Sequence, residues 1–194
     1  MQRIFLSILA AFFSFYCFSQ ASHNKIDSLK TILNTSKILK EKTKASNQLV
    51  DEYFELNKDS AEAYIQKTIK LTKNKNGLKE TYIHALLKYA QFYIVKGDYE
   101  TSTSYYNKAW NQLKEEFNYD LYTKYYGDLG VLSFYKGDFK AALENFHKAL
   151  QLAEAENNEE DQLRFLNNKA LAMSYLGKAE KSLLVHDKAI KLAE

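Results

Sequence analysis

Proline is absent from the chain, glycine occurs only six times and cysteine once. A sheet-rich fold needs frequent turn residues, so this scarcity favours long helices. The one cysteine, Cys17, falls in an N-terminal leader. A chain cut after that leader has no disulfide, no thiol nucleophile and no thiolate metal ligand. Arginine is nearly missing too: of 27 basic residues only Arg3 and Arg164 are arginine, set against 24 acidic residues and a net charge of +3. A reader of DNA or RNA carries a larger positive excess and more guanidinium forks. Nucleic-acid binding by these residues is therefore not expected.

The leader reads MQRIFLSILAAFFSFYCFSQ, with Arg3 as a positive start and an apolar run from Ile4 to Phe18 interrupted by Ser7 and Ser14. The run is shorter than the roughly 20 residues that a membrane-spanning helix needs. Small residues at Cys17 and Ser19 suit cleavage after Ser19. A lipoprotein would want a small residue just before the cysteine, where Tyr16 stands. The expectation is a signal peptide over 1–19 and export, to a periplasm. The alternatives are an uncleaved leader that anchors the chain in a membrane, or a lipoprotein.

What the chain does contain is an internal repeat. Gly97, Gly137 and Gly177 stand forty residues apart, as do Ala109, Ala149 and Ala189, and the small residues Ala90, Gly130 and Ala170. Each unit reads as helix, tight turn, helix: the glycine ends the first helix, and Asp98 or Asp138 behind it caps the second. Apolar residues recur at three and four positions, as in Leu143, Phe146, Ala149, Leu150 and Ala153, which makes one buried stripe. A single hairpin cannot bury that stripe, so neighbours must stack.

These residues resemble the tetratricopeptide repeat (TPR). The best unit shows Tyr126, Leu129, Gly130, Ala142 and Phe146, with Ser133 where the family has tyrosine. The preceding unit shows Leu86, Tyr89, Ala90, Tyr93, Ser102 and Tyr106, and the last is more degenerate, with Lys169 and His186 at normally apolar places. A weaker first unit matches through Tyr53, Ala61 and Ile65. The resemblance implies an all-α, right-handed α-α superhelix of three clear repeats and one degenerate N-terminal repeat. The array would occupy residues 36–194, as units 36–75, 78–116, 119–157 and 159–194, behind a short helix or cap over 20–35. The links are expected at Asn74–Gly77, Glu116–Asp120 and Glu156–Glu160. Forty residues exceed the usual repeat of about 34, and such longer units resemble those in extracytoplasmic parts of bacterial sensor kinases and helix-turn-helix regulators.

In TPR arrays the first helix of each unit lines the concave surface, so the register predicts columns there. Lys44, His84, Lys124 and Arg164 form one; Gln48, Lys88, Asp128 and Asn168 the next. Asp51, Gln91, Val131 and Leu171 follow, then Phe54, Ile94, Phe134 and Ser174, with Tyr135 and Tyr175 completing the lining. The functional reading is a peptide groove: the basic column for acidic side chains or a terminal carboxylate, Gln48 and Asn168 for peptide backbone, Phe134 and Tyr135 for apolar contact. The competing reading is a solvated surface on which Lys124 pairs with Asp128 four residues on.

Most tyrosines, including Tyr93, Tyr99 and Tyr106, fall at packing positions. His23, His84, His147 and His186 form no ligand pair with a carboxylate at helical spacing, so neither a metal nor a cofactor is expected, and no catalytic site is found. Glu159, Glu160 and Asp161 read as an acidic run at a helix start. The last helix carries Leu183, Ala189, Ile190 and Ala193 with no following sequence to cover them. Either the natural protein continues, or this end associates with a partner or with itself through residues such as Leu183 and Ile190, or the bare stripe is a tolerated ragged end.

The expected function is an exported, non-catalytic scaffold or adaptor that binds a protein or an extended peptide, acidic in the basic-column reading. Membrane contact would come only from a continuation or an uncleaved leader. The alternative is the extracytoplasmic sensor portion of a signalling protein, a histidine kinase or a helix-turn-helix regulator, with its output module beyond Glu194.

Overall fold

The computed structural model describes residues 24–115 and 118–193. The leader, its cleavage site, the start of the expected cap, residues 116 and 117, and Glu194 lie outside them. The described residues are helical throughout, with short turns between. The helices are α1 (24–35), α2 (Leu39–Leu56), α3 (Lys58–Thr72), α4 (Lys79–Val95), α5 (Tyr99–Leu113), α6 (Tyr119–Tyr135), α7 (Phe139–Ala155), α8 (Glu159–Tyr175) and α9 (Ala179–Ala193). The fold class is all-α, as the composition requires. None of these helices is long and apolar enough to cross a membrane.

Two compact units divide between Thr81 and Tyr82. In the first, α1 lays Ile26, Leu29 and Leu33 on Ala45 and Leu49 of α2. Lys25 pairs with Glu52, and the Lys30 ammonium sits over the Tyr53 ring. Between α2 and α3, beside the buried Leu49, Ala61 and Ile65, the Thr68 hydroxyl donates to Ser46 Oγ at 2.7 Å, and within α3 the Thr72 hydroxyl donates to the Thr68 carbonyl at 2.7 Å. Asn57 starts α3, its side chain accepting from the Ser60 N–H.

The second unit repeats one closure. At Gly97 (φ 76°), Gly137 (φ 79°) and Gly177 (φ 71°) the backbone enters the left-handed region. There the next residue reaches back to close the helix, as when the Asp98 N–H donates to the Tyr93 carbonyl and the Asp138 N–H to the Ser133 carbonyl. Asparagine takes the same conformation at Asn157 (φ 53°) between α7 and α8, since its short polar side chain tolerates it. Asp98, Asn118, Asp138 and Asn158 then cap α5, α6, α7 and α8 through their side chains. The sequence expectation put Tyr119 and Asp120 in a link, whereas the Asn118 cap draws them into the first turn of α6; Glu159 and Glu160, which it gave both to a link and to an acidic helix start, lie in the first turn of α8 behind Asn158.

Small residues set the helix crossings. The Ser102 hydroxyl donates to the Ala90 carbonyl at 2.9 Å, and the Ser182 hydroxyl to the Ala170 carbonyl at 2.8 Å. In the repeat between, the corresponding pair is Ala142 and Gly130, and aromatic packing takes over. A Cβ on Gly130 would stand 2.5 Å from the Phe146 ring, and one on Gly127 2.5 Å from the Phe165 ring. Both rings are buried in a core that includes Ala142, Ala149, Leu150, Ala153 and Leu166. Tyr106 is fully buried, whereas Tyr93 and Tyr99 are half-buried.

Candidate functional site

Within the second unit, α4, α6 and α8 each display residues of the expected columns. Between α6 and α8 lies a cavity of about 210 Å³ lined by Val131, Phe134, Tyr135, Phe146, Asn168 and Leu171. Its floor depends on Gly130: with no side chain there, Phe146 of α7 lies against the α6 backbone and reaches the cavity. At the rim, Tyr175 meets Phe134 edge-on (centroids 5.0 Å) and leans on Phe139 (4.8 Å). Tyr135 and Tyr175 remain 61% and 60% exposed, a large apolar surface to leave in water. Thus Phe134, Tyr135, Asn168 and Tyr175 come together, with Phe146 added from a helix that the columns did not include.

Asp128 is the unexpected member. It is only 6% exposed, and its Oδ1 accepts from Gln91 Nε2 of α4 at 2.7 Å while its Oδ2 has no hydrogen-bond partner. Burial pushes its pKa up to about 6, against the pull of the Gln91 hydrogen bond and of Arg164, Lys88 and Lys124. The nearby Tyr106 hydroxyl also lacks a partner, and burial first, the Asp128 charge second, raise its pKa well above the ordinary phenol value. Asp128 therefore does not pair with Lys124. The Lys124 ammonium turns the other way along α6, to Asp120 Oδ2 at 2.8 Å, because Asp120 lies near the solvated helix start and Asp128 lies inside.

Arg164 pairs with Asp161 at 2.6 Å, and its guanidinium stands 4.4 Å from the centre of the Phe165 ring. His84 and Lys88 are half-buried on α4. Lys44 and Gln48 sit on α2 of the first unit, the former exposed and the latter half-buried; Phe54, in the same helix, lies under the Lys58 ammonium. Lys169, at a normally apolar place, is half-buried with its ammonium 3.4 Å from His147 Nδ1, and burial lowers its pKa. Among the described residues no group of three or more histidines, cysteines and acids could hold a metal ion.

On α9, Leu183 and Ile190 are 65% and 59% exposed, and Leu184, outside the expected association residues, is 63% exposed. Ala189, expected to be uncovered, is buried in the core shared with α7 and α8. The Gln91–Asp128 bond joins two residues that the register puts in different columns. Its signal is in the register: the two residues are separated by one repeat less one helical turn, which brings neighbouring first helices level.

No family model matches the sequence, and no curated protein does. Solved structures do match in fold. BtubC from P. vanneervenii is 18% identical with a TM-score of 0.70, over 91% of this chain and 73% of that one. Aspartyl phosphate phosphatase F from Bacillus subtilis is 16% identical, TM-score 0.73, over 81% of this chain. Bacillus thuringiensis PlcR, solved with the peptide PapR7 and DNA, is 10% identical, TM-score 0.76, over 91% of this chain. The chain spans 42% of the phosphatase and 65% of PlcR. Identities this low speak for the fold alone. That fold is a helical-repeat solenoid of the TPR type.

Proposed function

We propose that this chain is a non-catalytic binding module that holds a protein segment or peptide against the α4–α6–α8 face of its second unit. The observation that carries the reading is the α6–α8 cavity, apolar but for Asn168 and rimmed by the exposed rings of Tyr135 and Tyr175. A concave apolar site with one polar group to orient the ligand is what recognition of a side chain requires. A preformed helical scaffold lowers the entropy lost on association. That PlcR has been solved holding a peptide supports this choice of ligand class. Export by the N-terminal leader is part of the proposal, and N-terminal sequencing of the protein recovered from the cell envelope checks it. A start at Gln20 is expected; an intact Met1 on an unfractionated cytosolic species contradicts it.

The test of binding is selection of displayed random peptides on the wild-type chain and on Leu171→Glu. Leu171 is half-exposed at the cavity wall, so a carboxylate there spoils the apolar lining without entering the core. Peptides retained by the wild type and lost by the variant are expected. No retained peptides, or retention indifferent to Leu171, contradicts the proposal.

The reading of the repeats as the sensor portion of a longer signalling protein has one observation in its favour. PlcR, which this chain matches over 65% of its length, was solved with both peptide and DNA. In that reading the same face receives the signal peptide and the output lies elsewhere in the longer protein.

A further inference from the structure

The cavity-lining helix α8 carries its chemistry in order. Arg164, Asn168, Leu171 and Tyr175 follow one another at three- and four-residue spacing, so they share one face. Arg164 is the only arginine among the described residues. Asp161 fixes one side of its guanidinium and the Phe165 ring lies close to it. Its side chain nevertheless stays 47% exposed, against 17% for Asp161, so the cation is the more accessible partner of the pair. A guanidinium has five donors, and the Asp161 contact uses one nitrogen. Asp128, whose carboxylate feels the Arg164 charge, is itself buried.

The distances suit a short motif. Arg164 and Leu171 are seven residues apart, or about 10 Å along the helix, which an extended peptide covers in about three residues. The cavity of about 210 Å³ is larger than the roughly 150 Å³ that accommodates a benzene ring in an engineered protein core. An aromatic or long aliphatic side chain fits it. We infer that this face selects a peptide segment in which a large apolar side chain fills the α6–α8 cavity and a carboxylate about three residues away pairs with Arg164. The inference rests on the reading of the face as a peptide-binding surface.

The test uses the full chain and fluorescent synthetic peptides built on the sequences recovered by selection, read by anisotropy. For each peptide the apolar residue is changed to serine and the acidic residue to glutamine. Apolar-to-serine is expected to remove measurable binding, and acid-to-glutamine to weaken it by roughly two- to fivefold, the size of a half-exposed ion pair. That preference for acid over amide should vanish in Arg164→Gln and shrink in Arg164→Lys, which keeps charge but loses the fork. Selected peptides that depend on Leu171 but bind equally as acid and amide, or whose preference survives Arg164→Gln, overturn this inference and leave peptide binding standing. Failure to recover any Leu171-dependent peptide overturns both.

Discussion

The α2–α3 hairpin of the first unit and the α6–α7 hairpin of the second share one plan and close differently. In the first, Thr43, Ser46, Thr68 and Thr72 are buried, and hydroxyl bonds such as Thr68 to Ser46 run along the seam. In the second, Gly130 admits the Phe146 ring of α7 onto the backbone of α6, and Gly127 does the same for Phe165 from the neighbouring α8. The same contrast appears between register partners: Gln48 is a half-buried neutral side chain, and Asp128, two repeats later, is a buried carboxylate. A hydroxyl bond crosses the first hairpin beside its apolar contacts, and a ring laid on bare backbone closes the second. In the second hairpin that packing brings a side chain of the second helix to the face of the first, as Phe146 does in the cavity.

Breaking the aromatic seam should have the largest effect. Phe146→Ala removes a ring that is 2% exposed and should destabilise the second unit by about 3–5 kcal/mol, read as a lower urea midpoint. It should also open the cavity floor and weaken binding.

Removing the buried charge should act in the other direction, and with a pH signature. The folded-state pKa of Asp128 is about 6, above its ordinary value of 3.8. The folded protein thus holds a proton that the unfolded chain has already lost between those values, and stability falls as pH rises through that window. Above pH 6 the cost is on the order of 3 kcal/mol. Asp128→Asn keeps an acceptor for Gln91 and carries no charge, so it should be more stable than wild type at pH 7.5 and nearly equal to it near pH 4. Urea unfolding at the two pH values decides: an advantage that does not change with pH contradicts the assigned burial.

Gly130→Ala should cost about 1–3 kcal/mol by overpacking against Phe146 and, by displacing that ring, should reduce binding more than its stability cost implies. Thr68→Val in the first unit should cost only about 1–2 kcal/mol, the penalty for leaving Ser46 without its donor. It should leave binding unchanged. Equal effects of the two substitutions on binding would erase the contrast between the hairpins.

The repeat made much of this legible beforehand. Glycines at a forty-residue interval located three turns, and small residues at the same interval marked three crossings. Phe134, Tyr135, Val131, Asn168 and Leu171 followed from placing the register on helices. What periodicity could not give was depth. Lys124 and Asp128 share a face at a spacing that invites an ion pair, yet Asp128 lies opposite Gln91 and under burial, while Lys124 reaches solvent and Asp120. Phe146 was assigned wholly to the core, because its appearance in the cavity depends on a missing Cβ in another helix. Ala189 is buried against residues of α7 and α8, contacts that a stripe drawn on α9 alone does not reveal.

The most direct test of the central claim is a hydrogen-exchange footprint of the chain with and without a selected peptide. Added protection should concentrate in α6 from Asp128 to Tyr135 and in α8 from Arg164 to Tyr175, and Leu171→Glu should abolish it. Protection confined to α9 around Leu183 and Ile190, with α6 and α8 unchanged, would contradict the account and move the binding surface to the last helix.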